Sequence, residues 1–219
     1  MDNLIYILFI CTVAPLTLML LLLKKRSKLI LGYMLIGIFV SLFVSELNSI
    51  LLSVFNGDML YVTTTITPVT EEIVKAVPVL LYAALFSDDR EKLMTIAFAA
   101  GIGFAMFENM VILVQNIENV TMGWAVIRGF STALMHGVCT AAVGYGMSFI
   151  RKRRKLFYCG TFALLSLASN YHGIFNMLVQ SEYKYLGFVL PAVTYIPILV
   201  YVLKNAKSGK NKKVKVNGE

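Results

Sequence analysis

The sequence predicts an all-α fold: a polytopic membrane helical bundle of about seven transmembrane helices, with the N-terminus outside and the C-terminus cytoplasmic. Three observations carry this prediction. The 219 residues are 58% hydrophobic and only 15% charged, far from the balance of a soluble domain. Apolar stretches near or above the roughly 20 residues that cross a bilayer recur along nearly the whole chain. Finally, 17 of the 20 Lys and Arg fall in alternate loops and the C-terminal tail, the segregation that fixes orientation in a membrane.

The spans lie at about 4 to 23, 29 to 55, 64 to 86, 92 to 116, 124 to 150, 156 to 179 and 186 to 203. In the first, the positive charges follow the apolar run and no small-residue cleavage site is present, which marks a retained helix and not a cleaved signal. Basic loops run from Lys24 to Lys28, from Ser87 to Lys92 and from Arg151 to Lys155, and the tail from Lys204 joins them on one side; the opposite loops hold Lys184 alone. Basic residues favour the cytoplasm. The connections are short, so residues 1–203 form a single transmembrane helical bundle domain. Residues 204–219, rich in Lys, Gly and Asn, form a basic disordered cytoplasmic tail.

The net charge of +8 has its origin in those loops and that tail. A nucleic-acid partner would need basic residues interleaved with aromatics on a folded face, so none is expected; the partner implied is the lipid bilayer, with some attraction to anionic headgroups. Cys11, Cys139 and Cys159 lie within spans without a CxxC spacing and read as small core hydrophobes. No internal repeat is present, so symmetry gives no support to an inverted-repeat transporter.

The titratable groups at membrane depth are Glu46, Glu71, Glu72, Lys75, Glu108, Arg128, His136 and His172. Each costs several kcal/mol to bury unless it is paired or faces water. Counted inward from the outer end of each span at about 1.5 Å per residue, Glu71, Glu72, Glu108 and His172 lie roughly 11 to 12 Å down, Glu46 about 13 Å and His136 about 18 Å. Helices running in opposite directions therefore bring them to nearly one level in the outer half of the membrane. Glu71 and Glu72 precede Lys75 by four and three residues, so either carboxylate can pair with the amine while the other stays available. Pro68 and Pro78 flank this stretch, Gly101 and Gly103 precede Glu108, and Gly137 and Gly173 follow the two histidines. Arg128 sits shallow and is expected to snorkel outward, with holding a substrate carbonyl or a carboxylate as its alternative role; Glu46 reads as a structural polar contact.

Two or three carboxylates, two imidazoles and a carboxamide suit peptide hydrolysis. That reaction needs a general base for water, a donor for the developing oxyanion and, in many enzymes, a metal. A zinc-hydrolase set is available in His136, His172 and Glu108 as ligands, with Glu71 or Glu72 as base. His172 and Asn176 would bind the metal or donate to the oxyanion. HExxH, a serine nucleophile in GxSG and paired intramembrane aspartates are all absent.

At these residues the chain resembles a known family. Glu71-Glu72-Ile73-Val74-Lys75 looks like the EExxK motif of the PrsW intramembrane proteases, Phe104 to Asn109 like FxxxEN, and His172 to Asn176 like the final HxxxN/D motif. His136 is similar to that family's additional histidine. The motifs occur in order from about Thr67 to Asn176. The family is in turn similar to the type II CAAX prenyl endopeptidases and Abi proteins, whose pattern is EExxxR, FxxxH and HxxxN; Lys75 and Glu108 depart from that branch. The resemblance implies catalytic roles for Glu71, Glu72, Lys75, Glu108, His172 and Asn176. It also implies a first cut in a single-span membrane protein such as an anti-sigma factor, near its extracytoplasmic boundary, in the plasma membrane of a bacterium. An ion-coupled transporter, a CAAX-type endopeptidase and a non-catalytic scaffold are the alternatives, and a metal-free glutamate mechanism is the alternative to zinc.

Overall fold

The computed structural model describes Leu16, Leu23 and residues 25–118 and 120–197. Among the described residues there are helices and turns but no strand. Helix α1, Lys25–Val54, buries Leu31, Leu35, Ile38 and Ser41 and exposes Phe39, Phe43 and Ile50. It stops where Asn56 and Gly57 turn to positive φ, 56° and 77°, and the Gly57 amide reaches back to the Leu52 carbonyl at 2.8 Å, a common helix-ending bond.

Asp58 caps the single turn α2, Met59–Tyr61, by accepting from the Tyr61 amide at 3.0 Å. The chain then passes through a π-helical turn, Val62–Ile66, into α3, Thr67–Leu85. Pro68 explains the widened turn, because it offers no N–H to the carbonyls of the preceding turn. Helix α4, Arg90–Gln115, begins with Asp89 accepting from the Lys92 amide at 2.8 Å. Helix α5, Met122–Met147, begins with Thr121 in the same role. A second π turn, Leu156–Gly160, leads into α6, Thr161–Val179, and α7 covers 184–197.

The helices match the expected spans closely where both are described, and the run at 59–85 is continuous despite Pro68 and Pro78. The first expected span, apart from Leu16 and Leu23, the end of the seventh and the tail lie outside the described residues. Ser27–Val54, Arg90–Gln115 and Met122–Met147 are long and apolar enough to cross a membrane. The apolar run of α3 is interrupted by Glu71, Glu72 and Lys75, all buried.

Helix α4 occupies the middle of the bundle. Gly101 lies against the backbone of His136 on α5, and Gly103 against the backbone of Met34 on α1, where a side chain would collide with main chain; small residues at these contacts let membrane helices approach closely. The core continues through Leu93, Ile96, Ala97 and Ala100 to Val79 and Ala83 on α3 and Met135 and Val143 on α5. Two basic residues meet the end of α3 and the α3–α4 loop: Arg151 donates to the Ala84 carbonyl at 2.8 Å, and Lys152 to the Asp88 carbonyl at 2.9 Å. At the other end Thr63 Oγ1 lies 3.1 Å from Gln180 Oε1.

Candidate active site

Helix α3 supplies Glu71, Glu72 and Lys75, α4 supplies Glu108, α5 supplies His136, and α6 supplies His172 and Asn176. All but Glu108 and Asn176 are buried. The choice left open by the spacing is made at three residues' separation: Lys75 Nζ pairs with Glu72 Oε1, not with Glu71. The same ammonium lies 2.7 Å from His136 Nδ1. Lys75 has only donors, so Nδ1 accepts and the ring proton sits on Nε2, which donates to Glu108 Oε2 at 2.8 Å. On α6, His172 Nδ1 lies 3.1 Å from Glu72 Oε1. A carboxylate accepts, so Nδ1 donates and Nε2 keeps its lone pair. That lone pair faces Glu71 Oε2 across 3.8 Å, and Glu71 Oε2 has no hydrogen-bond partner.

The two imidazoles meet edge to face, with centroids 4.7 Å apart. Phe104 closes the apolar side, its ring 4.9 Å from that of His136 and 4.5 Å from Lys75 Nζ, a cation–π distance. Of the charges expected at one depth, Glu71, Glu72, Glu108, His136 and His172 form one connected cluster with Lys75. The FxxxEN resemblance marks Phe104 but gives no sign of its contact with Lys75.

Four placements differ from expectation. The three donors that converge, with ligand atoms within 4.8 Å of one another, are Glu71, His136 and His172; Glu108 instead stands on the outer side of His136. Asn176 is drawn to the π turn, donating from Nδ2 to the Thr63 carbonyl at 2.9 Å. Arg128 does not snorkel: it is 7% exposed, with one guanidinium nitrogen 3.6 Å from Glu108 Oε1 and its charge 5.5 Å from the Trp124 ring. Cys139 is buried as expected, whereas Cys159 is exposed on the second π turn. The π turn itself had a readable signal in Thr63-Thr64-Thr65-Ile66-Thr67-Pro68, hydroxyls followed by a residue without an amide hydrogen.

The family described as PrsW family intramembrane metalloprotease matches residues 25–202. The chain belongs to the PrsW family. It is therefore a membrane protease, a hydrolase with membrane substrates. It is similar to Protease PrsW of Clostridioides difficile (strain 630), with 26% identity over 183 residues that cover 78% of this chain and 74% of the relative. No solved structure matches it.

A metal, which the PrsW description implies, fits these residues. Two imidazoles and a carboxylate are zinc-type donors, and two acceptors, His172 Nε2 and Glu71 Oε2, face each other. Each ring is also held on its outer nitrogen by a carboxylate, His136 by Glu108 and His172 by Glu72, the support that orients metal-binding histidines. His136 Nδ1 must exchange its bond with Lys75 in order to ligate.

Proposed function

We propose that this PrsW-family protease cuts a single-span membrane protein of the anti-sigma factor kind near its extracytoplasmic boundary, and so starts regulated intramembrane proteolysis. The convergence of Glu71, His136 and His172 carries the reading. These three residues hold a divalent metal, and the donor types favour zinc. When bound, such an ion lowers the pKa of water and polarises a peptide carbonyl.

The chain's own groups do the rest. Glu108 and Glu72 fix the two rings. Glu72 Oε2, buried and without a hydrogen-bond partner, takes the proton from the attacking water, while Lys75 on Oε1 offsets the charge. Arg128 restrains Glu108. Asn176 fixes the π turn, whose geometry sets the distance between Glu71 and His172. A second reading has one specific observation behind it: Lys75 already occupies His136 Nδ1, which favours a metal-free mechanism with Glu71 as base.

The sidedness belongs to the same proposal. Seven spans with the N-terminus outside put the basic loops in the cytoplasm, and the contacts of Arg151 and Lys152 with the end of α3 and the α3–α4 loop support their sharing one side. Residues 1–203 then make one bundle in a bacterial plasma membrane, with 204–219 as its cytoplasmic tail. The test is reconstitution of the purified protein with candidate single-span substrates, the native chain beside Glu71→Gln and Glu72→Gln, with the cut mapped. A cut in the outer third that both variants lose is expected; a cut on the cytoplasmic side overturns the reading.

A further inference from the structure

The outer surface of the bundle is apolar nearly everywhere, as on Phe39 and Phe43 of α1 and Leu80 and Leu81 of α3. One stretch is mixed. Between the π turn with the start of α3 on one side and α6 on the other runs a groove of about 490 Å³, whose lining sets Thr64, Ser166, Ser169 and Asn170 among apolar side chains such as Ile73 and Met177. No charged residue lines it. Asn170 is exposed there, its Nδ2 turned back to the Ser166 carbonyl at 2.8 Å, and Thr64 Oγ1 likewise donates to its own helix, to the Leu60 carbonyl at 2.7 Å. Bonded back to their own helix, the carboxamide and the hydroxyl keep acceptor lone pairs to offer a polar guest within the hydrocarbon layer.

The groove adjoins the cluster. Ser169 is buried one turn before His172, and Gly173, directly after it, lies so close to the π turn that a side-chain carbon there would sit 2.8 Å from the Thr64 carbonyl. The other described parts of the chain pack elsewhere. Helix α7 lies on the opposite face of α6, through Tyr171 to Thr194, and against α4, through Phe98 to Tyr195. Leu16 packs beside Leu35, Ile38, Phe107 and Val111.

We propose that this groove is the lateral port through which a membrane-spanning polypeptide reaches the site, with Thr64, Ser166 and Asn170 as positioning residues for its unwound stretch. The inference rests on the proteolytic reading and deepens it. A peptide bond is open to attack only after its helix unwinds, and the backbone groups so released need partners within the hydrocarbon layer. Hydroxyls and a carboxamide provide both donors and acceptors. The absence of charge selects an apolar segment.

The test uses the full chain in lipid nanodiscs, with a photoreactive benzoylphenylalanine at Asn170, at Ile73 across the groove, or at Phe39 on α1 as control. The probe is a synthetic single-span Leu/Ala peptide with Lys flanks and a Gly-Pro break near its outer end. Cross-links at Asn170 and Ile73 at least about five times those at Phe39 are expected, and fewer with an unbroken peptide. On any substrate that the native chain cuts, Asn170→Leu and Ser166→Val should raise KM about tenfold together, the worth of one or two hydrogen bonds, with kcat changed less than about twofold. Even cross-linking at all three positions, or an unchanged KM, overturns the port. Cross-links in the groove without cleavage by the native chain keep the port and remove the proteolytic reading; cleavage with cross-links elsewhere does the reverse.

Discussion

Along α1, α4 and α5 the helices meet through residues without bulk, whereas along the π turn, α3 and α6 they meet through polar side chains. In the first seam Gly37 faces the backbone of Ala100, Gly103 that of Met34 and Gly101 that of His136. In the second, Asn176 binds the Thr63 carbonyl and Glu72 joins Lys75 to His172. His136 is set by the first seam and His172 by the second. Both imidazoles make hydrogen bonds, but the helix that carries His136 is seated by shape and the one that carries His172 by hydrogen bonds, which a polar guest can exchange. The groove opens on the second seam, where such exchange is possible.

The largest effect comes from removing groups where the seams meet. Glu71→Ala, Glu72→Ala, Glu108→Ala and His172→Ala should each lower cleavage by about 10² to 10³-fold or more, the scale on which active-site polar groups act, while the protein still accumulates in the membrane. Glu46→Gln, at an exposed position of α1 that no motif includes, should stay within a few-fold of the native chain. Immunoblots of substrate and enzyme together read both quantities, and near-normal cleavage by Glu108→Ala breaks the comparison.

Next comes the seam built on shape. Gly101→Leu forces a side chain into the His136 backbone, and overpacking of this kind costs about 1 to 3 kcal/mol; a lower thermal midpoint in detergent is expected, together with lost activity. Asn176→Leu removes one hydrogen bond from the other seam. It should lower cleavage about tenfold with at most about 1.5 kcal/mol lost from stability, so the two variants separate stability from activity. The smallest change is expected for Pro68→Ala, which restores an amide hydrogen to the π turn and competes with Asn176: activity should fall by less than about fivefold, on the scale of a proline replacement. If Pro68→Ala is worse than Asn176→Leu, the π turn matters through proline's fixed geometry and not through the Thr63 carbonyl.

Much of this arrangement was legible because hydrocarbon penalises charge. Helix positions follow from the apolar runs, and the rarity of Glu, Lys and His inside those runs marks Glu71, Glu72, Lys75, Glu108, His136 and His172 as neighbours. Spacing alone could not choose between Glu71 and Glu72 as partner of Lys75, since three and four residues both share a helical face. Nor could it tell that Glu108 approaches the outer nitrogen of His136, because that depends on how α4 is rotated against α5, which Gly101 sets. Depth alone favoured snorkelling for Arg128 over its other expected role, holding a carboxylate; Glu108 on the neighbouring helix, and Trp124 one turn before it on its own, draw it inward to that second role.

The metal content of purified, active protein tests the converging donors most directly. Elemental analysis should find about one zinc per chain in the native protein and in Glu46→Gln, and less than about a tenth of that in Glu71→Ala, His136→Ala and His172→Ala, as expected when a ligand of a three-residue site is lost. Stripping the metal should abolish cleavage and returning it should restore it. Equal metal in all five proteins, or full cleavage by the stripped native chain, would contradict the metal centre.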